Sequence, residues 1–168
     1  GREDYFVAKY DGLGNLLFSK LLGNAGRNET SGIAVGLDGS IYVTGLTDSA
    51  LGGHPYAGAN DAFVTKLDNV GNVLWTSLYG ASTSENSVGV GVDAAGRVWI
   101  GGDVAELNGS PFFVDLFVAV FDGDGDLLDD VVFGSTSTEQ IRGLAIGPDG
   151  AYVTGYTGGD LAGPLNGN

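Results

Sequence analysis

The sequence predicts an all-β fold of tandem four-stranded antiparallel blades of the β-propeller type, three blade-equivalents with open ends. Three observations predict it. One unit recurs three times along 168 residues, over 4–45, 61–102 and 115–155. Each copy holds four short runs rich in β-branched and aromatic residues, bounded by Gly and Asp. No stretch has helical periodicity.

The copies open alike, with Asp4-Tyr-Phe-Val-Ala-Lys-Tyr-Asp11, Asp61-Ala-Phe-Val-Thr-Lys-Leu-Asp68 and Asp115-Leu-Phe-Val-Ala-Val-Phe-Asp122. A turn glycine follows at Gly14, Gly71 and Gly125, then an apolar pair, Leu16-Leu17, Val73-Leu74 and Leu127-Leu128. The turn glycines are expected to take positive φ, which a side chain disfavours. Further glycines recur at 23, 80 and 134 and at 32, 89 and 143. The closing strands are Ile41-Tyr-Val-Thr-Gly45, Val98-Trp-Ile-Gly-Gly102 and Tyr152-Val-Thr-Gly155, the third copy lacking one residue. Third and fourth strands are apolar on both faces, as sheets stacked face to face require. Gly/Pro-rich connectors join the copies into one repeat domain over 1–168.

Phe63-Val-Thr-Lys-Leu-Asp-x-x-Gly-Asn-Val-Leu-Trp75, the Val-Asp-x-x-Gly turn and Tyr-Val-Thr-Gly-x-Thr resemble the bacterial beta-propeller repeat called SBBP, for seven-bladed beta propeller. Gly53-His-Pro-Tyr56 before Asp61 is similar too. The resemblance implies a propeller-like fold in secreted or cell-surface proteins of bacteria or archaea, and brings no catalytic motif. Val120 and Asp129 depart from it, where the other copies have Lys and an aromatic residue.

The repeat has a phase. The innermost strands of a blade are expected to be 33–35 and 41–43, and its outer pair the next copy's 61–67 and 72–79. The chain then begins with an outer half-blade and ends with an inner one. Three blade-equivalents do not close a ring, since propellers have about 4–8 blades. The open edges are templates for pairing, so a homo-oligomer or head-to-tail filament is expected, or a fragment of a longer repeat protein. Asn168 stands where Asn60 stands, just before the next repeat would begin.

Seven basic and 21 acidic residues leave a net charge of −14, which argues against nucleic-acid partners. No apolar run nears the roughly 20 residues of a membrane helix, so no membrane insertion is expected. There is no Cys for a disulfide or redox role, and Gly1 is not a translation start.

Local chemistry is sparse. Asp122, Asp124 and Asp126 alternate in a Gly-rich turn and form a candidate calcium site. The equivalent Asp11 and Asp68 loops read instead as hairpin turns, and Phe133 stands where an EF-hand would have its distal acid. Asn28-Glu-Thr30 and Asn108-Gly-Ser110 match the glycosylation pattern, the second followed by Pro111. His54 is the single histidine, in a loop. Glu85 and Glu139 are repeat-equivalent, with Asn28 in the first copy, so a structural duty outweighs acid catalysis. Phe6, Phe63, Phe117, Tyr42, Trp99 and Tyr152 recur at matched positions, as an interblade core would place them, or as a glycan platform if exposed. The expected function is a non-enzymatic extracellular structural module without a cofactor, with a module presenting loops to a protein or glycan as the alternative.

Overall fold

A computed structural model describes residues 3–105 and 114–161. The connector asparagine Asn108 and the terminal Asn168 lie outside the described residues. Twelve strands and no helix occur among the described residues. They are β1 Tyr5–Tyr10, β2 Leu16–Leu22, β3 Asn28–Val35, β4 Ile41–Thr47, β5 Asp61–Leu67 and β6 Val73–Tyr79, followed by β7 Ser84–Val92, β8 Val98–Ala105, β9 Val114–Phe121, β10 Leu127–Phe133, β11 Glu139–Gly147 and β12 Gly150–Thr157.

The sheets cut across the repeats. Strands β3-β4-β5-β6 form one antiparallel sheet and β7-β8-β9-β10 another, while β1-β2 and β11-β12 stand as two-stranded sheets. Each full blade thus takes its inner hairpin from one copy and its outer hairpin from the next. The head hairpin β1-β2 and tail hairpin β11-β12 are the two halves left over. The fold is all-β, blade-like and open at both ends.

The sequence accounts for the hairpins. Asp11, Asp68 and Asp122 close the outer ones: each Oδ1 accepts the N–H groups two and four residues on, at 2.8–3.0 Å. The turn glycines that follow have φ of 85°, 87° and 92° for Gly14, Gly71 and Gly125. Between the inner strands Asp93 does the same for the Ala95 and Arg97 amides, and Asp38 accepts the amide and hydroxyl of Ser40. The residue missing from the third copy falls in that inner turn. Gly147 pairs directly with Gly150, where Val35 pairs with Ile41 across a longer loop.

Two apolar clusters glue the blades face to face. In one, Tyr42, Ala62 and Val64 of the first blade meet Val98, Ile100, Phe117, Ala119 and Phe121 of the second. In the other, Tyr5 and Val7 of the head hairpin meet Ile41, Val43, Phe63 and Leu67. Side-chain struts add to this. Lys9 Nζ donates to the Asn69 carbonyl at 3.0 Å, and Lys66 Nζ and Trp75 Nε1 both donate to the Gly123 carbonyl, at 3.2 and 3.0 Å.

The expectation that third and fourth strands are buried on both faces fails at the two ends, in β3 of the first copy and in β12 of the third, which is mostly exposed. Ile33 and Val35 are exposed, because among the described residues the side they face holds only the outer hairpin β1-β2 and no inner hairpin. Their equivalents show what that side is for. Val90 is buried in the interblade core, and Leu144 and Ile146 lie over Gly89 and Gly91.

A bulge recurs in the inner strand of every copy, between Thr30 and Gly32, Ser87 and Gly89, and Ile141 and Gly143. It drives a carbonyl against the facing strand. A Cβ on Gly45, Gly102 or Gly155 would lie 1.8, 2.0 or 1.9 Å from the carbonyl oxygen of Glu29, Asn86 or Gln140. The obstacle is backbone, so it cannot swing aside. Gly102→Ala, within the second blade, is therefore expected to lose about 3 kcal/mol or more, at the upper end of overpacking costs, read as a drop in urea midpoint.

Candidate functional site

The loop Asp122-Gly-Asp-Gly-Asp126 is built as a turn. Asp122 turns Oδ1 to its own backbone, accepting from the Asp124 and Asp126 amides at 2.9 Å each. Those bonds hold its carboxyl below the usual range. Among the described residues, no group of three or more His, Asp or Glu side chains converges as a metal site would need. In the two sister turns the carboxylate gains a further donor, since Asn15 Nδ2 and Asn72 Nδ2 reach Asp11 and Asp68 at 2.9 and 2.8 Å. Asp126 replaces that amide with a second carboxylate. Asp126→Asn is expected to raise the melting temperature slightly, an effect that differential scanning calorimetry would detect.

Asn28 is not placed for a glycan in this fold. It is buried, its Nδ2 donates to Asn24 Oδ1 and the Gly26 carbonyl, and its Oδ1 accepts from Thr47. The sequon pattern is a match of letters at a residue that fastens the blade junction. His54 is exposed in a small turn closed by backbone bonds to Leu51.

Glu85 and Glu139 do repeat a structural duty, at a place no local motif signals. Each sits at the start of an inner strand, facing the Asp that begins an outer strand and the Gly that ends its partner. A Cβ on Gly80 would lie 2.7 Å from both Asp61 Oδ1 and Glu85 Oε2. Asp115 takes the same position beside Gly134, and Asp4 and Asn28 take it around Gly23. Asp61 accepts the Ala57 amide, and Glu85 accepts the Ala81 amide and the Thr83 hydroxyl. These bonds tie the connectors to the sheet.

The acids differ in how well they are compensated. Burial pushes the Asp61, Asp103 and Asp115 carboxyls up. Glu85 is raised by burial and by Asp61 beyond it, against the pull of its hydrogen bonds. Burial also works on Glu139, but the amide and hydroxyl of Ser135 and the hydroxyl of Thr157 outweigh it, and its pKa falls. A carboxyl with a raised folded pKa contributes stability below its unfolded pKa and loses it as pH climbs through the folded value. The parent should therefore lose stability from mildly acidic to neutral pH. Glu85→Gln carries no charge to penalise, so the variant-minus-parent difference in melting temperature should be more positive at neutral pH than in acid.

The recurrent aromatics separate interior from ends. Phe63 and Phe117 are 0% exposed, whereas their equivalent Phe6 is 72% exposed. Tyr42 is 2% exposed and its equivalent Tyr152 is 57%. Inside the molecule these rings are interblade core: Phe117 stacks on Tyr79 at 4.6 Å and Phe63 tilts over Tyr5 at 5.3 Å. At the head and tail the same positions are open. The candidate site is this pair of sheet edges with their apolar faces.

No family model matches the chain. Regulatory protein FlaEY of Caulobacter vibrioides (strain ATCC 19089 / CIP 103742 / CB 15) is 29% identical to it over 119 residues, which is 66% of this chain and 12% of FlaEY. The chain thus spans a small part of the length of that relative.

Proposed function

We propose that the chain is a non-enzymatic structural module of β-propeller blades, working outside the cell, whose two half-blades are completed by further units of the same repeat. The observation that carries this reading is the contrast at one repeat position. Phe63 and Phe117 are wholly buried and Phe6 is not. Burying such a ring is worth about 1.5–3 kcal/mol, so a half-blade left open forgoes stabilisation that the interior of the same fold collects. Among the described residues, β1 and β12 also each leave one strand edge unpaired, and proteins ordinarily cover such edges.

The completing units can follow in the same polypeptide or come from another copy, as a ring or a head-to-tail filament. The match to 12% of a longer protein favours a module embedded among others. The word "regulatory" belongs to FlaEY and assigns no activity to a segment of this kind. The extracellular placement rests on the resemblance to secreted and surface propeller repeats, with which the acidic, cysteine-free composition is compatible. Calcium and other cofactors have no part in the reading.

A tandem duplication, two copies of the chain in one polypeptide, tests it. One tail then meets one head, and the duplicated protein should melt at a higher temperature and more cooperatively than the single copy. Two units that melt independently, at the temperature of the single chain, would overturn the reading.

A further inference from the structure

The tail hairpin carries a cleft of about 250 Å³ whose walls include Leu116, Phe133, Val153 and Gly155. Each wall residue has equivalents in the interior. Around Phe63 they are Tyr5, Leu22, Val43 and Gly45, and around Phe117 they are Ala62, Tyr79, Ile100 and Gly102. In both interior cases the space is filled by the phenylalanine of the next outer strand, directly opposite the glycine: Phe63 pairs with Gly45 and Phe117 with Gly102. The cleft is a third socket of the same make. We propose that it receives Phe6 of a second copy of this chain, with β1 of that copy laid antiparallel on the free edge of β12. The proposal rests on the structural reading above and names the partner and the register.

The register follows from the interior. Strand β4 pairs Tyr42 with Lys66, Thr44 with Val64, Gly45 with Phe63 and Thr47 with Asp61. Carried to the ends, Tyr152 meets Lys9, Thr154 meets Val7, Gly155 meets Phe6 and Thr157 meets Asp4. The chemistry matches pair by pair. Lys66 Nζ lies 5.4 Å from the centre of the Tyr42 ring, a cation–π contact that Lys9 and Tyr152 can repeat. Thr44 donates its hydroxyl to the Phe63 carbonyl at 2.6 Å, and Thr154 can do the same for Phe6. The blade between lacks both features, since Trp99 pairs with Val120 and Gly101 with Val118. The two open ends therefore complement each other through the contacts of the first blade.

The inner strands agree. Leu144 of β11 lies over Gly89, and Val90 of β7 approaches Gly32. Ile33, exposed at the head, is their equivalent, and Gly143 at the tail is the matching seat, where a Cβ would meet only Thr154 among the described residues. The outer hairpin contributes less. Val120 and Asp129 stand where Lys66 and Trp75 reach the next turn, so the junction between copies rests on the inner half of the sheet.

The chain contains no Cys, so paired cysteines report the register without background. Lys9→Cys combined with Tyr152→Cys places thiols opposite each other, on residues outside both apolar clusters. Lys9→Cys combined with Thr154→Cys keeps the face and shifts the register by two residues. The in-register variant should oxidise to disulfide-linked dimers or longer chains at least tenfold faster than the shifted one, and added Phe6→Ala should abolish the difference. Melting curves under reducing conditions establish that each variant is folded. Equal rates for the two folded variants, or no effect of Phe6→Ala, would overturn the proposal. If the tandem duplication is stabilised while separate copies do not cross-link, the socket takes the phenylalanine of a following repeat in the same polypeptide; the structural reading then stands and the second copy is excluded.

Discussion

In every copy the bulge of the inner strand pushes a backbone carbonyl to within about 2 Å of where a Cβ would stand on the facing strand. Gly45, Gly102 and Gly155 are the answer to that approach, and the glycine has a second consequence. With no side chain of its own, it stands directly opposite the phenylalanine of the outer strand in the two interior cases. Cross-strand pairs of this kind are the unit of sheet stabilisation. The bulge, the glycine and the ring thus form one device: the inner strands come close, and the aromatic occupies the room left beside them. Both interblade clusters are built around that ring.

The device explains why the phase of the repeat was legible in the sequence. Equivalent glycines and aromatics recur at fixed offsets, and their pairing partner is in the neighbouring copy, so hairpins from consecutive copies must share a sheet. Turns were equally legible, because Asp and Gly act locally: an aspartate caps its own loop and a glycine supplies a positive φ. What stayed hidden depends on distant neighbours. The third strand reads as apolar on both faces in every copy, but burial needs a partner, and Ile33 and Val35 face the side without one. Asn28 reads as a sequon because three letters match, and only the fold shows its amide turned inward to Asn24 and Gly26. Asp122, Asp124 and Asp126 read as ligands because they alternate, and only the turn geometry shows Asp122 committed to backbone amides.

The junction acids are the least expected part of the molecule. Burying a carboxylate costs stability unless hydrogen bonds compensate it. Here the same position is Asn in the first copy, a weakly compensated Glu in the second and a well compensated Glu in the third. Glu139 gains a hydroxyl from each side, Ser135 and Thr157, while Glu85 has the Asp61 carboxyl beyond it. One geometric task is to tie a connector to the point where three strands meet. An amide and an ionised or neutral carboxyl can all perform it, with different dependence on pH. The repeat constrains where the polar atom sits more tightly than what charge it carries.

An open stack of blades has to manage two edges, and this chain does so unevenly. At the head, Phe6, Ile33 and Val35 project apolar groups that the interior would bury. At the tail, a cleft of about 250 Å³ opens beside Val153 and Gly155, and a Cβ on Gly143 would meet only Thr154 among the described residues. A protein selected to keep its edges apart would carry charge or proline there. Lys9 on β1 is the one basic group along that strand, and it is also the residue whose interior counterpart lies over a tyrosine. Even the charge at the edge has a docked position in the interior copy. The net charge of −14 acts against this, since two such chains repel. The proposed attraction between the ends would be short-ranged, whereas the repulsion is long-ranged and screened by salt within about 10 Å. Under the proposed docking, contact between head and tail would be governed by ionic strength and by the fit of one ring in one socket.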